Sequence, residues 1–310
     1  MRMHYTSWGI IIDDIVFPGG QTAMGVLGGG GMYTVAGMRI WSADAGILSN
    51  VGADFDMSIL DGLDLRATGL RVTGRPTPRA WQLFEQDGHR TQIPRIPLSD
   101  WAEQLAWPAD FVAFLQMNGV HAVHLLSRGR LGDSEMIAQI AASGIRISLE
   151  PIIEEGLDAT QREEVLASLP YVEIFSPGVG ELCVLLGEGP SQRALVALAE
   201  QGPAIVALRR GAAGSMIYHR ESRRMLRMPA ARANVVDVTG AGNAYAGGML
   251  VGWCESANLE MAVTCAAVSA ALAIEQVGPP TITPLLIAEA RRRQTQALGE
   301  LSEMNGTDDD

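Results

Sequence analysis

The stretch Asp237-Val-Thr-Gly-Ala-Gly-Asn-Ala-Tyr-Ala-Gly-Gly248 constrains this chain more than any other. Its Gly240-Ala241-Gly242 turn leads into an apolar run, Ala244 to Trp253, that reads as a buried helix. Glycine and alanine let a backbone come close to a ligand. The N–H groups of a first helical turn have no acceptor inside the helix, and the helix dipole lies behind them, so such a turn is a site for an anion. Asp237 and Thr239 place oxygens just upstream. Those oxygens suit a cation beside the anion, and equally an aspartate that caps the turn.

Composition narrows the possibilities. With 310 residues and 47% hydrophobic content, the chain buries a sizeable core, enough for one large α/β domain or two smaller ones. A net charge of −12 argues against nucleic acid or an anionic membrane as the main partner. There is no lysine; every Lys/Arg position is arginine. That excludes a P-loop lysine, a protein-kinase strand lysine and any Schiff-base mechanism. A phosphate-binding chain of this kind relies on backbone donors, arginine and metal. Cys183, Cys254 and Cys265 are odd in number and scattered, so a reducing, cytoplasmic compartment is expected rather than a disulfide framework or zinc site. Gly9–Ile12 is too short for a signal segment. Met261–Ile274 is short for a membrane span and is interrupted by Thr264 and Ser269.

Taken in order, Trp8 to Val16 reads as one buried strand with Asp13 and Asp14 at its C-terminal end, the end that faces the ligand crevice of an open α/β sheet. Two solvated turn carboxylates are the plainer reading. Gly28–Gly31 reads as a hinge or a close backbone approach, followed by a helix from Met32 to Trp41. From Gly69 to Pro97 the texture is short, polar and β-prone, with a hairpin over Ala80–Glu85 and Gly88–Arg90. After Pro108, strand and helix patterns alternate, which predicts a parallel sheet covered on both faces. Strands are expected at 122–126, 145–149, 172–175, 204–208 and 215–218, and helices at 134–143, 161–168, 181–186, 193–201, 260–276 and 285–298. His121 and His124 are expected to point to opposite faces of their strand, as core or surface residues rather than a metal pair.

These features resemble the ribokinase-like (PfkB) family of carbohydrate kinases, over roughly Trp8 to Pro284. The family writes the central stretch Asp-Thr-Thr-Gly-Ala-Gly-Asp, and its last Asp takes the proton from the substrate hydroxyl. Here that position is Asn243. The resemblance makes Gly240, Ala241 and Gly242 the anion hole and places Asp237 and Thr239 at a potassium-binding loop. Gly9 and Asp14 have the spacing of the family's first-strand Gly and substrate-binding Asp. Gly29, Gly30 and Ala36 align with its Gly-Gly-x-x-x-Asn-x-Ala, with Thr34 in place of the Asn. Arg210-Gly211-x-x-Gly214 matches the turn that packs on the nucleotide. Pro177-Gly178-Val-Gly-Glu181 matches Pro-Asn-x-x-Glu, whose Glu organises the magnesium water shell. The family's Asp-Pro-Asn reads Glu150-Pro151-Ile152. Gly46–Asp54 matches its second core strand and following turn. A divergent branch that includes a fungal maintenance-of-killer protein is similar in carrying Gly-x-Gly-Asn.

The resemblance implies a single ribokinase-like domain over 1–310. Its fold is a three-layer α/β/α sandwich with a mainly parallel central sheet and a small β-sheet lid, built from about 15–28 and 66–98. The polar tail 303–310 is expected to be disordered. The resemblance implies ATP and Mg2+ as cofactors, with K+ at the Asp237 loop, and a sugar or nucleoside as substrate; an apolar lid face is expected to be covered by a second lid, in a homodimer. Asparagine does not hold a proton at neutral pH, and a placed base is worth about 10² to 10⁴ in rate. Phosphoryl transfer is mostly positioning and charge stabilisation, so loss of the base predicts a slow kinase unless Asp13 or Asp14 replaces it. The changes at Thr34, Ile152, Gly178 and Asn243 equally fit a non-catalytic binder of nucleotide or a small polyol. On this reading Asn243→Asp restores an ionised base at a helix N-terminus and raises transfer.

Overall fold

The computed structural model describes residues 3–63, 69–86, 90–153, 158–187 and 189–304. The chain opens with β1 (Tyr5–Trp8), β2 (Ile11–Val16), β3 (Thr22–Gly28), α1 (Gly30–Arg39), β4 (Ala45–Gly52) and β5 (Leu70–Thr73). It continues through β6 (Arg79–Phe84), β7 (Arg90–Pro94), α2 (Leu98–Leu105), α3 (Phe111–Met117), β8 (Ala122–Ser127), α4 (Asp133–Ala142) and β9 (Arg146–Pro151). Next come α5 (Ala159–Ser168), β10 (Ile174–Phe175), α6 (Val179–Leu186), α7 (Gln192–Glu200), β11 (Ile205–Arg209), β12 (Ser215–His219) and β13 (Arg224–Met228). The last elements are α8 (Ala241–Ser256), α9 (Leu259–Ala273), α10 (Pro284–Leu298) and β14 (Ser302–Glu303).

Among the described residues the strands form a ten-stranded sheet, in the order β14-β13-β12-β11-β10-β9-β8-β1-β4-β5, and a four-stranded sheet, β3-β2-β6-β7. In the large sheet the pairs from β5 to β11 are parallel, and β12, β13 and β14 are added antiparallel. The interior strands are buried almost throughout, as in Ala-Val-His-Leu-Leu-Ser of β8, because helices cover both faces. One core joins the sheet to α1, α8 and α9 through Val35, Met249 and Val263. The other joins it to α3, α4 and α7 through Leu115, Ile137 and Leu195. The result is the three-layer ribokinase-like arrangement, with the small sheet as a lid.

Helix α8 lies between α1 and α9, and glycines set its distance from both. A β-carbon on Gly37 would overlap the Ala244 carbonyl, and one on Gly247 would overlap the Thr34 carbonyl. Gly248 meets the Cys265 carbonyl and Ser269 in the same way. Much of the glycine in the central stretch therefore serves helix packing; only its first turn faces a ligand site. No helix of the described residues is long and apolar enough to cross a membrane.

Several expectations are corrected. Trp8 to Val16 is two strands: β1 pairs with β4 and β8, and β2 pairs with β3 and β6 in the lid. Gly9, at φ +103°, makes the break, a conformation that costs glycine little. Asp13 and Asp14 thus sit on a lid strand and not at the end of a core strand. Gly28 ends β3, and Gly30 and Gly31 begin α1, so the glycine run is part of regular elements. The lid begins at Ile11, and its second segment is narrower than 66–98: Leu70–Thr73 pairs with β4, and α2 starts at Leu98. The expected hairpin forms between β6 and β7, while residues 87–89 lie outside the described residues. Glu303 belongs to β14, which pairs with β13; residues 305–310 lie outside the described residues.

Candidate active site

Two cavities meet at the N-terminus of α8. The first, about 230 Å³, lies under the lid and is lined by Asp13, Gln82, Gly29, Gly30, Tyr33, Glu150, Glu181, Thr239, Gly240 and Asn243, among others. The second, about 540 Å³, is lined by Gly211, Gly214, Val235, Ala241, Gly242, Tyr245, Ala271 and Glu181, among others. Gly240 and Asn243 face one side and Ala241 and Gly242 the other, so one turn of helix separates the two. Gly240 is the N-cap, at φ +76°, and a β-carbon there would overlap the Tyr33 ring. That position requires glycine on both counts.

Across this turn runs a network of buried charge. Glu150, near the C-terminal end of β9, accepts from Arg209 Nη1 at 2.9 Å and from Asn243 Nδ2 at 3.1 Å. His124 Nε2 stands 3.6 Å from the same carboxylate, and His124 Nδ1 meets Ser148 Oγ at 3.0 Å. The second guanidinium nitrogen of Arg209 is 3.5 Å from Glu181, which also accepts the N–H of Gly178. A β-carbon on Gly242 would overlap Arg209 Nη1, so the guanidinium rests against the first turn of α8. Burial pushes the Glu150 carboxyl up, but Arg209 and His124 outweigh it and leave it below the usual carboxylate range. Burial raises Glu181, against the opposing charge of Arg209.

The two lid aspartates do different things. Asp13 faces the first cavity and accepts from Gln82 Nε2 at 2.7 Å; burial pushes it up to about 6 despite that bond. Asp14 is fully buried in a pair with Arg79, at 2.6 and 2.8 Å, and with Arg95, and it also accepts from Gly25 N–H. Its bonds from Arg79 are the main reason its carboxyl is held down at about 2. Asp14 therefore ties the lid together, and Asp13 is the carboxylate that reaches the cavity.

Of the other residues singled out in the sequence, Gly29, Gly30, Glu181, Thr239, Gly240, Ala241, Gly242 and Asn243 converge on the site. Gly211 and Gly214 line the second cavity, while Arg210 closes their turn through its backbone, its N–H donating to the Gly214 carbonyl at 2.8 Å. Thr34 is fully buried with its hydroxyl donating to the Gly30 carbonyl at 2.8 Å, so it serves the helix and not a ligand. Asp237 Oδ1 accepts from the Thr239 N–H and hydroxyl at 2.9 and 2.7 Å, a capped turn. Its other oxygen is buried without a hydrogen-bond partner. Among the described residues no three His, Cys, Asp or Glu side chains converge on a metal-sized space. Sequence reasoning missed Arg209 and His124, and took Glu150 only as a changed position. Strand alternation does not choose between neighbouring Arg209 and Arg210 at a strand end.

The fold and this pair of cavities define a ribokinase-like α/β protein with a cavity under a lid. The chain belongs to the PfkB family of carbohydrate kinases, whose model matches residues 20–285. It is 26% identical to an uncharacterised protein of Schizosaccharomyces pombe, over 88% of this chain and 84% of that one. It is 22% identical to a cytidine kinase of Thermococcus kodakarensis, over 82% and 89%. Its fold is similar to that of Arabidopsis thaliana ribokinase complexed with ribose and ATP, at a TM-score of 0.73 and 18% identity, over 95% and 99% of the two chains.

Proposed function

We propose that this protein transfers the γ-phosphoryl group of ATP to a hydroxyl of a sugar or nucleoside. The observation that carries this reading is the single turn, Gly240 to Asn243, that walls off an apolar cavity from a polar one. A nucleotide base fits the apolar cavity, and its phosphates reach the helix N-terminus, where N–H groups and Arg209 meet negative charge. The hydroxyl donor fits the polar cavity under the lid, where Asp13 and Gln82 offer hydrogen bonds.

Glu181 is the carboxylate common to both cavities, and one carboxylate with water and substrate phosphates suffices for magnesium. Bound there, the ion would neutralise charge on the transferring group. The partnerless Asp237 oxygen fits a monovalent cation next to the anion hole. Met24 and Ile93, on the two edge strands of the lid, are exposed, and we extend the reading to a homodimer through this sheet. Light scattering showing a monomer at micromolar concentration removes that part. The three cysteines are free, in keeping with a reducing cytoplasm.

The test is phosphorylation of a panel of sugars, nucleosides and sugar phosphates with Mg-ATP, alongside thermal shift with each ligand. Sugar phosphates belong in the panel because Arg90, Arg128 and Arg130 line the polar cavity. Ligand binding raises the melting temperature by mass action. A second reading, a non-catalytic binder, has its own support: Asn243 is bonded to Glu150, Glu150 to Arg209, and Arg209 is paired with Glu181, so the site's polar groups are already engaged. Nucleotide binding without transfer to any acceptor decides for it.

A further inference from the structure

The geometry points to Glu150 as the group that takes the proton from the acceptor hydroxyl, with Asn243 and Arg209 as its positioning residues. This inference rests on the kinase reading above. A carboxylate accepts hydrogen bonds and does not donate them, so the Asn243 side chain must turn its NH2 group toward Glu150. At 3.1 Å, the Glu150 oxygen lies one hydrogen bond from the side chain at position 243. Glu150 also lines the cavity assigned to the acceptor. The family pattern has an acid at both positions; here only residue 150 on β9 keeps one, as Glu150, and the amide at 243 holds it.

The surroundings suit a base. Arg209 and Asn243 donate to the carboxylate and His124 Nε2 stands 3.6 Å from it, and the two hydrogen bonds keep it ionised and able to accept a proton. Glu181, the nearest other acid, is separated from it by Arg209, which contacts both. Arg209 lies against Gly242, where the phosphates are expected, so bound nucleotide draws the guanidinium away from Glu150 and leaves the carboxylate more basic. In the step itself, the acceptor oxygen forms a bond to the γ-phosphorus of ATP. The bond from that phosphorus to the bridging oxygen breaks, and ADP leaves with the electron pair. The hydroxyl proton passes to Glu150 Oε2 and then to solvent.

The arrangement also bears on Asn243→Asp. A second carboxylate about 3 Å from the first leaves one proton shared between them, as in paired-carboxylate sites. Asn243→Asp alone therefore gives no gain in rate, contrary to the expectation drawn from the sequence.

The experiment compares kcat, KM and nucleotide affinity for wild type, Glu150→Gln, the double variant Glu150→Gln/Asn243→Asp, Glu150→Ala and Asp13→Asn. Glu150→Gln is expected to lower kcat by about 10² or more, the usual worth of a placed base, with calorimetric ATP affinity within severalfold of wild type. The double variant returns the carboxylate to residue 243 and recovers much of that loss. Sodium formate, a free carboxylate, partly restores kcat to Glu150→Ala and does nothing for wild type. Three results overturn the assignment while leaving the kinase reading intact: Glu150→Gln keeping more than a tenth of wild-type kcat, a loss confined to nucleotide affinity, or loss of kcat in Asp13→Asn alone. Wild type that binds ATP and phosphorylates nothing in the panel overturns the kinase reading and this assignment with it.

Discussion

The two cavities on either side of the first turn of α8 are made of different material. The larger is built from backbone and small or aliphatic residues: Gly211, Gly214, Gly242, Ala241, Val235 and Ala271. The smaller adds polar side chains to its glycines Gly29, Gly30 and Gly240: Asp13 bonds Gln82, and Glu150 bonds Asn243 and, at the wall of the larger cavity, Arg209. A site made by backbone keeps its shape only while its glycines stay. A site made by side chains can lose a group at one position and regain it from another strand. The glycine turn at Gly240–Gly242 and the polar cluster around Glu150 are therefore held by different constraints.

The sharpest test of the turn that separates the two cavities is Gly240→Ala. A left-handed conformation costs a non-glycine residue about 1–2 kcal/mol, and overpacking against the Tyr33 ring costs about 1–3 kcal/mol more. A stability loss of about 2–5 kcal/mol in denaturant unfolding is expected. A loss below about 1 kcal/mol would mean that backbone shape at this turn is not the constraint. Next is Gly242→Asp, which puts a carboxylate against Arg209 and into the space where the proposed function seats phosphate. Calorimetry should show ATP affinity falling more than tenfold, about 1.4 kcal/mol, with the fold retained. Unchanged affinity would place the nucleotide elsewhere.

Smaller effects separate the two lid aspartates by pH. Asp14 is held at about 2 by Arg79, so its ionised form stabilises the lid above pH 4, and that contribution fades as pH falls toward 2. The stability deficit of Asp14→Asn should therefore shrink below pH 4. Asp13 is pushed up to about 6 by burial, so its charge costs stability above pH 6 and that cost disappears as pH falls through 6 toward 4. Wild type should gain thermal stability relative to Asp13→Asn over that window; parallel curves would show that Asp13 is not buried as a carboxylate. The smallest expected effect is a modest rise in activity when potassium replaces sodium at constant ionic strength, through the partnerless oxygen of Asp237. No difference between the ions would leave Asp237 with its capping role alone.

Much of the fold was legible in the sequence. Strands after Pro108 declared themselves as short apolar runs between helical patterns, and β8, β9 and β11 fall within about two residues of the expected positions. The first strand was misread because Trp8 to Val16 is apolar at most positions on either side of Gly9. Nothing local says that the chain leaves one sheet there and joins another. Thr34 was misread for a related reason: its hydroxyl can bond to a ligand or to the carbonyl four residues earlier, and helix geometry chose the second.

By itself the sequence determined what local chemistry fixes: a glycine turn feeding a buried helix and an alternating α/β order. Those follow from backbone conformational freedom and hydrophobic period, which act over a few residues. Only the tertiary structure decided which groups surround Asn243. Glu150 and Asn243 are 93 residues apart in the chain and 3.1 Å apart in space, and Arg209 reaches them from a third element. A buried charge must find its partners wherever the fold brings them, and no local pattern records which ones it found.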